Sequence, residues 1–515
     1  MAAGPKLVVL MVAEQFRPDY LDRYRASFSA GGFNRLWKGG AVFRRCRYEY
    51  LATFPASGAA VLATGAYPEH NGIVAEHWYD RRLRRVVSAV EDPEQALVGS
   101  DRPSRPAASP RNLVGTTLAD QWRLATGGRS RAVSISLRDQ TAALLAGFRP
   151  AGCYWLDGAG RFVTSTYYAQ ALPEWVTAFH KTHPALRLRG QVWKALGALD
   201  SAPPLRRIDG EGAGGLRDFF LNYLASPLAI EEQFQFARQA VIGEQLGQGP
   251  AGDLLTLSLS SLYLLGLEAG ADSPLMRDMV ARLDRHVEEF LKFLDDRLGA
   301  GNYWVAFTAT QGVMELPETV EAEGIRGGRV AGENVAAAVN ARLSEAFGPD
   351  SYVEKYLFPS LYLRREAARK VAGKERTPAA ELARLAGEAA LAVTGVAGYF
   401  APRGGASFAS PESAALLARS AYPERSGDLL IAYQPYYSER YGDGRGVSPG
   451  SFYSYDAQVP LILYGPAFRA GVFDGPASPA DLAPTLAAAL EIPPPSSATG
   501  RPLVEALKAA AETRP

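Results

Sequence analysis

A chain of 515 residues, with 47% hydrophobic and 21% charged side chains, could form two or three average domains or one large domain that carries insertions. Its formal net charge of +1 creates no overall field toward nucleic acid or an anionic membrane, so we expect no nucleic-acid partner. No apolar run approaches the ~20 residues that a membrane-spanning helix needs, so we expect no membrane span. Two cysteines, Cys46 and Cys153, are expected to be free buried thiols.

The predicted elements alternate between buried strands and helices. The run KLVVLMV at 6–12 is short, lacks a small-residue cleavage site and leads into a polar loop, so we interpret it as the first core strand and expect no signal peptide. Similar apolar runs predict strands at 131–136, 253–260, 303–309 and 459–465. Between several of them lie helical patterns, such as 273–299 with a glycine at its end. This alternation indicates an α/β fold with a mostly parallel sheet covered on both faces.

Two long segments interrupt the alternation of strands and helices. Residues 150–250 are rich in aromatic side chains and loops, and residues 316–450 contain helical patterns and one strand-like run. Insertions of this size between core strands usually build a cap over the ends of the strands. We therefore predict an α/β core from 1–149, 251–315 and 451–515, with cap insertion one at 150–250 and cap insertion two at 316–450.

The stretch FTATQGVMELPE at 307–318 follows one of the predicted strands. The polar residues at the end of this strand, Thr310 and Gln311, stand where catalytic groups of α/β sheets are usually found. Both side chains are neutral, and neither is a good ligand for a hard cation or a useful general base. The stretch therefore raises the question of whether the end of this strand carries a catalytic site or one that has lost its catalytic residues.

Several stretches in this chain resemble the alkaline phosphatase superfamily, nearest to the phosphate-irrepressible monoesterases and the nucleotide pyrophosphatase/phosphodiesterases. They occur in family order and span nearly the whole chain: EQFRPDYLDRY (14–24), 31–73, SISLRDQTAALLAG (134–147), WLDGAGRFVTSTYY (155–168), FTATQGV (307–313), YSYDAQVPLILYGP (453–466) and 481–503. The resemblance implies an alkaline-phosphatase-like three-layer sandwich with a mostly parallel central sheet and inserted caps. It also implies a periplasmic or secreted location.

The resemblance further implies a two-zinc site with a threonine nucleophile, but the corresponding positions of this chain depart from that pattern. The nucleophile position falls on Pro55, which has no hydroxyl. The remaining ligand and phosphate-binding positions fall on Glu14, Glu76, Arg138, Gln140, Tyr263, Leu267, Thr310, Gln311 and Gln458. The chain has five histidines and none after His286, whereas the family takes at least two histidine ligands from its C-terminal half. We therefore expect no metal and no cofactor.

The replaced positions still predict a binding site. Two acids remain at Glu14 and Glu76, and Arg138 could pair with both, so we predict a salt-bridge cluster where the metals of the family would lie. All the positions from Glu14 to Gln458 should converge at the C-terminal edge of the sheet. The candidate binding residues are Glu14, Glu76, Arg138, Gln140, Thr310, Gln311 and Gln458.

Three functional hypotheses follow from this pattern. The leading one is a catalytically degenerate member of the superfamily, a pseudoenzyme that binds an unknown small ligand or protein partner. The alternative is a divergent, metal-independent hydrolase of phosphate or sulfate esters, with Ser57 or Thr53 as a displaced nucleophile. The third is a structural subunit whose cap docks a partner. For Ser57 a solvated or capping hydroxyl is the competing interpretation, and His70 and His77 have no spacing that marks a base.

Overall fold

A computed structural model of the chain describes residues 4–51, 53–101, 104–199, 201–210, 215–364, 366–367, 379–402, 405–407, 411–441 and 445–508. Its strands are β1 Leu7–Ala13, β2 Gly40–Cys46, β3 His77–Asp80, β4 Arg85–Ser88, β5 Glu91–Asp92, β6 Leu97–Val98, β7 Ala107–Ala108, β8 Ala132–Ser136, β9 Gly152–Leu156, β10 Phe162–Ser165, β11 Gln191–Trp193, β12 Arg206–Ile208, β13 Asp253–Leu259, β14 Tyr303–Ala309, β15 Gly328–Val330, β16 Val353–Leu357, β17 Ser360–Leu363, β18 Val396–Ala401, β19 Gly405–Ala406, β20 Leu429–Tyr433, β21 Tyr437–Glu439, β22 Leu461–Tyr464 and β23 Gly471–Ala477.

The α-helices complete the alternation that the sequence predicts. They are α1 Asp19–Arg23, α2 Phe33–Gly39, α3 Pro55–Thr64, α4 Pro68–Asn71, α5 Leu118–Ala125, α6 Asp139–Ala146, α7 Glu174–Thr182, α8 Leu216–Leu224, α9 Pro227–Gly243, α10 Ser261–Ala269, α11 Pro274–Leu298, α12 Pro317–Ala322, α13 Gly332–Phe347, α14 Ala379–Leu391, α15 Pro411–Ser420, α16 Ser454–Ala457 and α17 Leu482–Ala489. Among the described residues, no helix combines the length and the apolar character needed to cross a membrane.

A ten-stranded sheet organises the core in the order β23-β2-β22-β14-β1-β13-β8-β9-β10-β6. Its centre is parallel: β1 lies between β13 and β14, and β8 pairs with β13 and with β9 in the same sense. All seven residues of β1 are buried, because strands flank it on both sides and helices cover both faces of the sheet. β22 joins antiparallel between β14 and β2, so the sheet is mixed rather than wholly parallel. The α/β fold predicted from the sequence is confirmed.

The segment 150–250 contributes two strands to the main sheet. It begins with β9 and β10, whose residues are all buried and which extend the ten-stranded sheet beyond β8. Only after them do α7, α8 and α9 follow, and α9 packs against β8 and β13. The predicted boundary at residue 150 therefore lies ahead of two sheet strands, because the aromatic residues around Tyr154 and Phe162 are strand positions rather than cap loops. The division into core and cap insertions stays a prediction.

The segment 316–450 contains a second sheet with a hydrophobic core of its own. Five strands pair in the order β16-β17-β20-β18-β19, and α13 and α14 pack together beside them. The apolar residues of these elements form a cluster distinct from the main core, and it includes Phe54 and Ala75 from the core segment. Through those two residues, the second sheet contacts the region around the start of α3. Whether the segment forms a cap over the end of the main sheet stays a prediction.

The two cysteines are buried and unpaired, as predicted. Burial raises the pKa of both thiols above the ordinary cysteine value. A thiol of this kind is chemically quiet at neutral pH, since the thiolate is the reactive form.

Candidate functional site

The C-terminal ends of the central parallel strands meet at one edge of the sheet and carry the candidate site. Glu14 follows β1, Arg138 follows β8, Ser260 follows β13 and Thr310 follows β14. The parallel register brings these four ends side by side, because Ala13 lies beside both Leu259 and Ala309. Side chains that are distant in sequence therefore share the position where open α/β sheets bind their ligands.

Arg138 is the centre of a largely buried ion-pair cluster. Its Nη1 donates to Oε2 of Glu14 at 3.1 Å, and its Nη2 donates to Oε1 of Glu76. Nη2 also donates to Oε1 of Gln140 at 2.7 Å, and the guanidinium carbon lies 4.6 Å from the ring centre of Tyr263. The Tyr263 hydroxyl lies 3.4 Å from Oε2 of Glu76. The salt-bridge cluster predicted from the sequence is confirmed.

Two serine hydroxyls complete the surroundings of Glu14. Ser258 and Ser260 donate to Oε1 of Glu14 at 2.8 and 2.7 Å, while Oε2 receives Arg138. The Glu14 side chain is fully buried, so its charge depends on these donors rather than on water. The sequence prediction missed both serines, although their alternation in the strand end LSLSS marks them as facing the same side.

The electrostatics of the cluster favour a permanently charged arginine. Burial by itself lowers the pKa of Arg138, but the carboxylates of Glu76 and Glu14 outweigh it and hold that pKa above its ordinary value. Burial, and then the Glu76 charge, raise the pKa of the Tyr263 hydroxyl well above its usual range. Tyr263 is therefore a neutral hydrogen-bond donor at this position.

A second group of predicted residues lies around the ends of β14 and the start of α3. Thr310 Oγ1 donates to Oε1 of Gln311, and the Gln311 carbonyl accepts the backbone N–H of Phe16 at 3.0 Å, two residues from Glu14. The backbone carbonyl of Gln458 lies within 3.3 Å of the position that a Cβ at Gly312 would take. Thr310, Gln311 and Gln458 are thus neighbours at the same edge of the sheet. Whether they and the cluster residues bind a ligand stays a prediction.

Two of the replaced positions, Pro55 and Leu267, have structural roles. Pro55 is the first residue of α3, where a proline is favoured because it lacks the N–H that would have no partner there. Leu267 lies one turn beyond Tyr263 in α10, and its carbonyl accepts the N–H of Val447 at 2.7 Å. Leu267 therefore joins α10 to the loop that precedes α16.

The hydroxyl candidates Ser57 and Thr53 are both buried. Ser57 Oγ accepts from the Tyr50 hydroxyl at 3.1 Å and from the Phe54 N–H at 3.2 Å, which is the geometry of a helix cap. Thr53 Oγ1 donates to the carbonyl of Ser451 at 2.8 Å. These bonds join the two hydroxyls to backbone and phenol groups.

The donor set at the site does not fit a pair of zinc ions. Zinc sites are built from histidine, cysteine and carboxylate ligands that surround the ion. Within the ranges that the structure describes, no group of three or more such residues could hold a metal ion. The two acids of the cluster, Glu14 and Glu76, are bridged by one guanidinium.

Known proteins match this chain over nearly its whole length. A family model described as type I phosphodiesterase / nucleotide pyrophosphatase matches residues 8–446. The chain is 30% identical to alkaline phosphatase PafA of Elizabethkingia meningoseptica over 98% of its own length and 94% of that protein. It is 29% identical to alkaline phosphatase PhoV of Synechococcus elongatus, with coverage of 98% and 94%. The crystal structure of wild-type alkaline phosphatase PafA superimposes with a TM-score of 0.89 at 28% identity, covering 98% of this chain and 99% of that one.

These comparisons confirm the resemblance found in the sequence and contradict its main functional interpretation. The proteins that align over the full length are named as enzymes, and nothing in the comparisons supports a pseudoenzyme. The pseudoenzyme hypothesis inferred loss of function from the replaced ligand positions alone. The replaced positions show that these residues do not fit a two-zinc site, but they do not exclude catalysis by other side chains.

Proposed function

Because this chain belongs to the type I phosphodiesterase / nucleotide pyrophosphatase family, we propose that it hydrolyses phosphate or sulfate esters, and that it does so without a bound metal ion. Phosphate monoesters are the first substrate class to test, since the relatives that align over the full length are named alkaline phosphatases. The observation that carries the metal-free part is the Arg138 cluster, in which a guanidinium lies between the acids at the end of the central strands.

The proposal requires the residues of the site to do without a metal what zinc ions do in a metallohydrolase. A metal supplies fixed positive charge and lowers the pKa of the attacking group. Arg138 supplies fixed charge, because a guanidinium stays protonated at any relevant pH. The start of α3 adds partial positive charge beside Thr53 and Ser57, since the first N–H groups of a helix point out of its N-terminus. Activation of the nucleophile must then come from a side-chain base.

The location of the protein is a separate proposal. The family resemblance favours a periplasmic or secreted protein. Fractionation of the source cells, followed by detection of the chain, tests this point independently of any activity.

The test of the proposed function is hydrolysis of 4-nitrophenyl phosphate, bis(4-nitrophenyl) phosphate and 4-nitrophenyl sulfate by protein dialysed against a chelator. We expect turnover above the buffer rate for at least one ester, and we expect the same rate after Zn²⁺ or Mg²⁺ is added. Arg384→Met, which removes an exposed arginine whose ion pairs are with Glu381 and Glu388 on its own helix α14, serves as the matched control for purification and should keep the wild-type rate.

Two results would count against the proposal. No turnover of any of the three esters would contradict the hydrolase itself. Turnover that appears only with added metal, together with bound zinc in elemental analysis, would leave the hydrolase standing and contradict the metal-free mechanism.

A further inference from the structure

A hydroxyl in hydrogen-bond contact with a buried carboxylate lies beside the candidate site. Ser451 Oγ donates to Oδ2 of Asp456 at 2.5 Å. Ser451 is partly exposed, whereas Asp456 is almost completely buried in the short helix α16. A serine needs a base within this distance to act as a nucleophile. Ser258 and Ser260 also donate to a carboxylate, that of Glu14, but Glu14 is ion-paired with Arg138, whereas Asp456 makes its side-chain bond to Ser451.

The surrounding backbone holds this pair next to the start of α3. Thr53 Oγ1 donates to the Ser451 carbonyl, and the Asp456 carbonyl accepts the N–H of Gly312 at 2.7 Å. Gly450 has a φ of +113°, and a Cβ there would lie 2.7 Å from the ring of Phe54, the residue that precedes α3. The backbone before Ser451 therefore packs directly against the helix start where the family nucleophile would lie.

The second carboxylate oxygen of Asp456 distinguishes the pair from a purely structural contact. Among the described residues, Asp456 Oδ1 has no hydrogen-bond partner although it is buried. Buried carboxylate oxygens are normally paired, and an unpaired one needs an explanation. Ser451 and Asp456 also line a cavity of about 10 Å³, together with Gly450, Gln434 and Tyr437. This volume is close to the smallest that can hold one water molecule, so the cavity fits a hydrolytic water and not the ester. The ester has to reach Ser451 Oγ from the exposed side of that residue.

We propose that Ser451 is the nucleophile and Asp456 the general base of the ester hydrolysis, an inference that rests on the proposed function. Oγ of Ser451 attacks the phosphorus of a monoester while its proton passes to Asp456. The bond from phosphorus to the alcohol oxygen breaks, and the departing alkoxide takes that proton. Water then attacks the phosphoserine and gives a proton to Asp456, the bond between Oγ and phosphorus breaks, and Ser451 Oγ recovers the proton as phosphate leaves.

The environment of Asp456 suits a base that works near neutral pH. Burial raises the pKa of Asp456 to about 7, while the Ser451 hydroxyl and backbone N–H and the more distant Arg17 act in the opposite direction. A carboxylate with a pKa near the working pH accepts and returns a proton most efficiently. This property supports the geometric argument and does not replace it.

The test compares single variants on the ester that the wild-type protein turns over. Ser451→Ala should lower kcat by at least about 100-fold, the usual contribution of such a group. Asp456→Asn should lower it similarly, whereas Ser57→Ala, which removes a competing candidate nucleophile, should lower kcat much less than Ser451→Ala does. Ser454→Ala is the matched control, because this exposed serine lies three residues from Ser451 in the same segment. Circular dichroism and the melting temperature identify any variant that fails to fold.

A second measurement keeps the proposal testable if Asp456→Asn misfolds. Wild-type protein quenched during turnover should carry a phosphoryl group on the peptide that contains Ser451, as read by mass spectrometry. Wild-type activity that survives Ser451→Ala, or a phosphoryl group on Ser57 or Thr53, would overturn this assignment and leave the proposed function intact. Absence of any wild-type turnover would overturn both.

Discussion

Removal of the arginine at the centre of the cluster tests how the site is held together. In Arg138→Met the apolar stem of the side chain is kept and the charge is lost. Glu14 is fully buried and Glu76 is largely buried, so two like charges would remain close together without a cation. Breaking a buried pair by removing one partner typically costs 3–5 kcal/mol of the free energy of unfolding. The two serine donors to Glu14 stay in place, so we expect a loss near the lower end, about 3 kcal/mol.

The assay is urea unfolding followed by circular dichroism, with wild type, Arg138→Met, Glu14→Gln and the double variant compared in one cycle. If the buried charge of Glu14 causes the loss, Glu14→Gln in the Arg138→Met background should recover much of it, because glutamine still accepts from both serines. Arg384→Met removes an exposed arginine and should change the unfolding midpoint little. Equal midpoints for wild type and Arg138→Met, or no recovery in the double variant, would refute the reasoning.

Further predictions concern packing, pH and metal. Gly58→Ala should lower the free energy of unfolding by about 1–3 kcal/mol, since its Cβ would lie 2.4 Å from the Thr310 carbonyl, and Gly475→Ala in open space is the control by the same urea assay. Burial raises the pKa of Glu439 to about 7, so its contribution to stability is present below the ordinary carboxyl range and is lost as the pH rises through 7. Glu439→Gln should therefore remove part of the fall in the free energy of unfolding between pH 5 and pH 8, on the order of 1–3 kcal/mol in the same urea assay. Elemental analysis of the purified protein should find no stoichiometric zinc, and a chelator should not shift its melting temperature.

The central strands could be predicted from the sequence because burial on both faces makes them continuous apolar runs. The strands at 303–309 and 253–259 lie within one residue of their predicted limits. β2 and β23 were not predicted. β23 contains glycine, aspartate and proline and is mostly exposed, so it has the composition of a loop and is a strand only because it pairs with β2. Tertiary pairing of this kind leaves no periodic pattern in the sequence.

Within the site, too, one set of contacts could be predicted from the sequence and another could not. The ion pairs of Arg138 could be predicted because opposite charges at aligned positions have a simple electrostatic meaning. The contact between Ser451 and Asp456 could not, because a serine five residues before an aspartate is common in loops and helix starts. Only the burial of the aspartate and the packing of Gly450 against Phe54 give that spacing a meaning.

The Arg138 cluster and the Ser451–Asp456 pair supply two different parts of the proposed metal-free hydrolysis. A guanidinium fixes positive charge at the strand ends, but it does not lower the pKa of a hydroxyl as a coordinated zinc ion does. A metal-free hydrolase on this fold therefore needs a carboxylate that can take a proton from its nucleophile. Asp456 provides it in direct contact with Ser451, on the segment that Gly312 ties to the end of β14. Loss of the Asp456 carboxylate should consequently lower kcat by at least about 100-fold while the Arg138 ion pairs, and the stability they provide, remain.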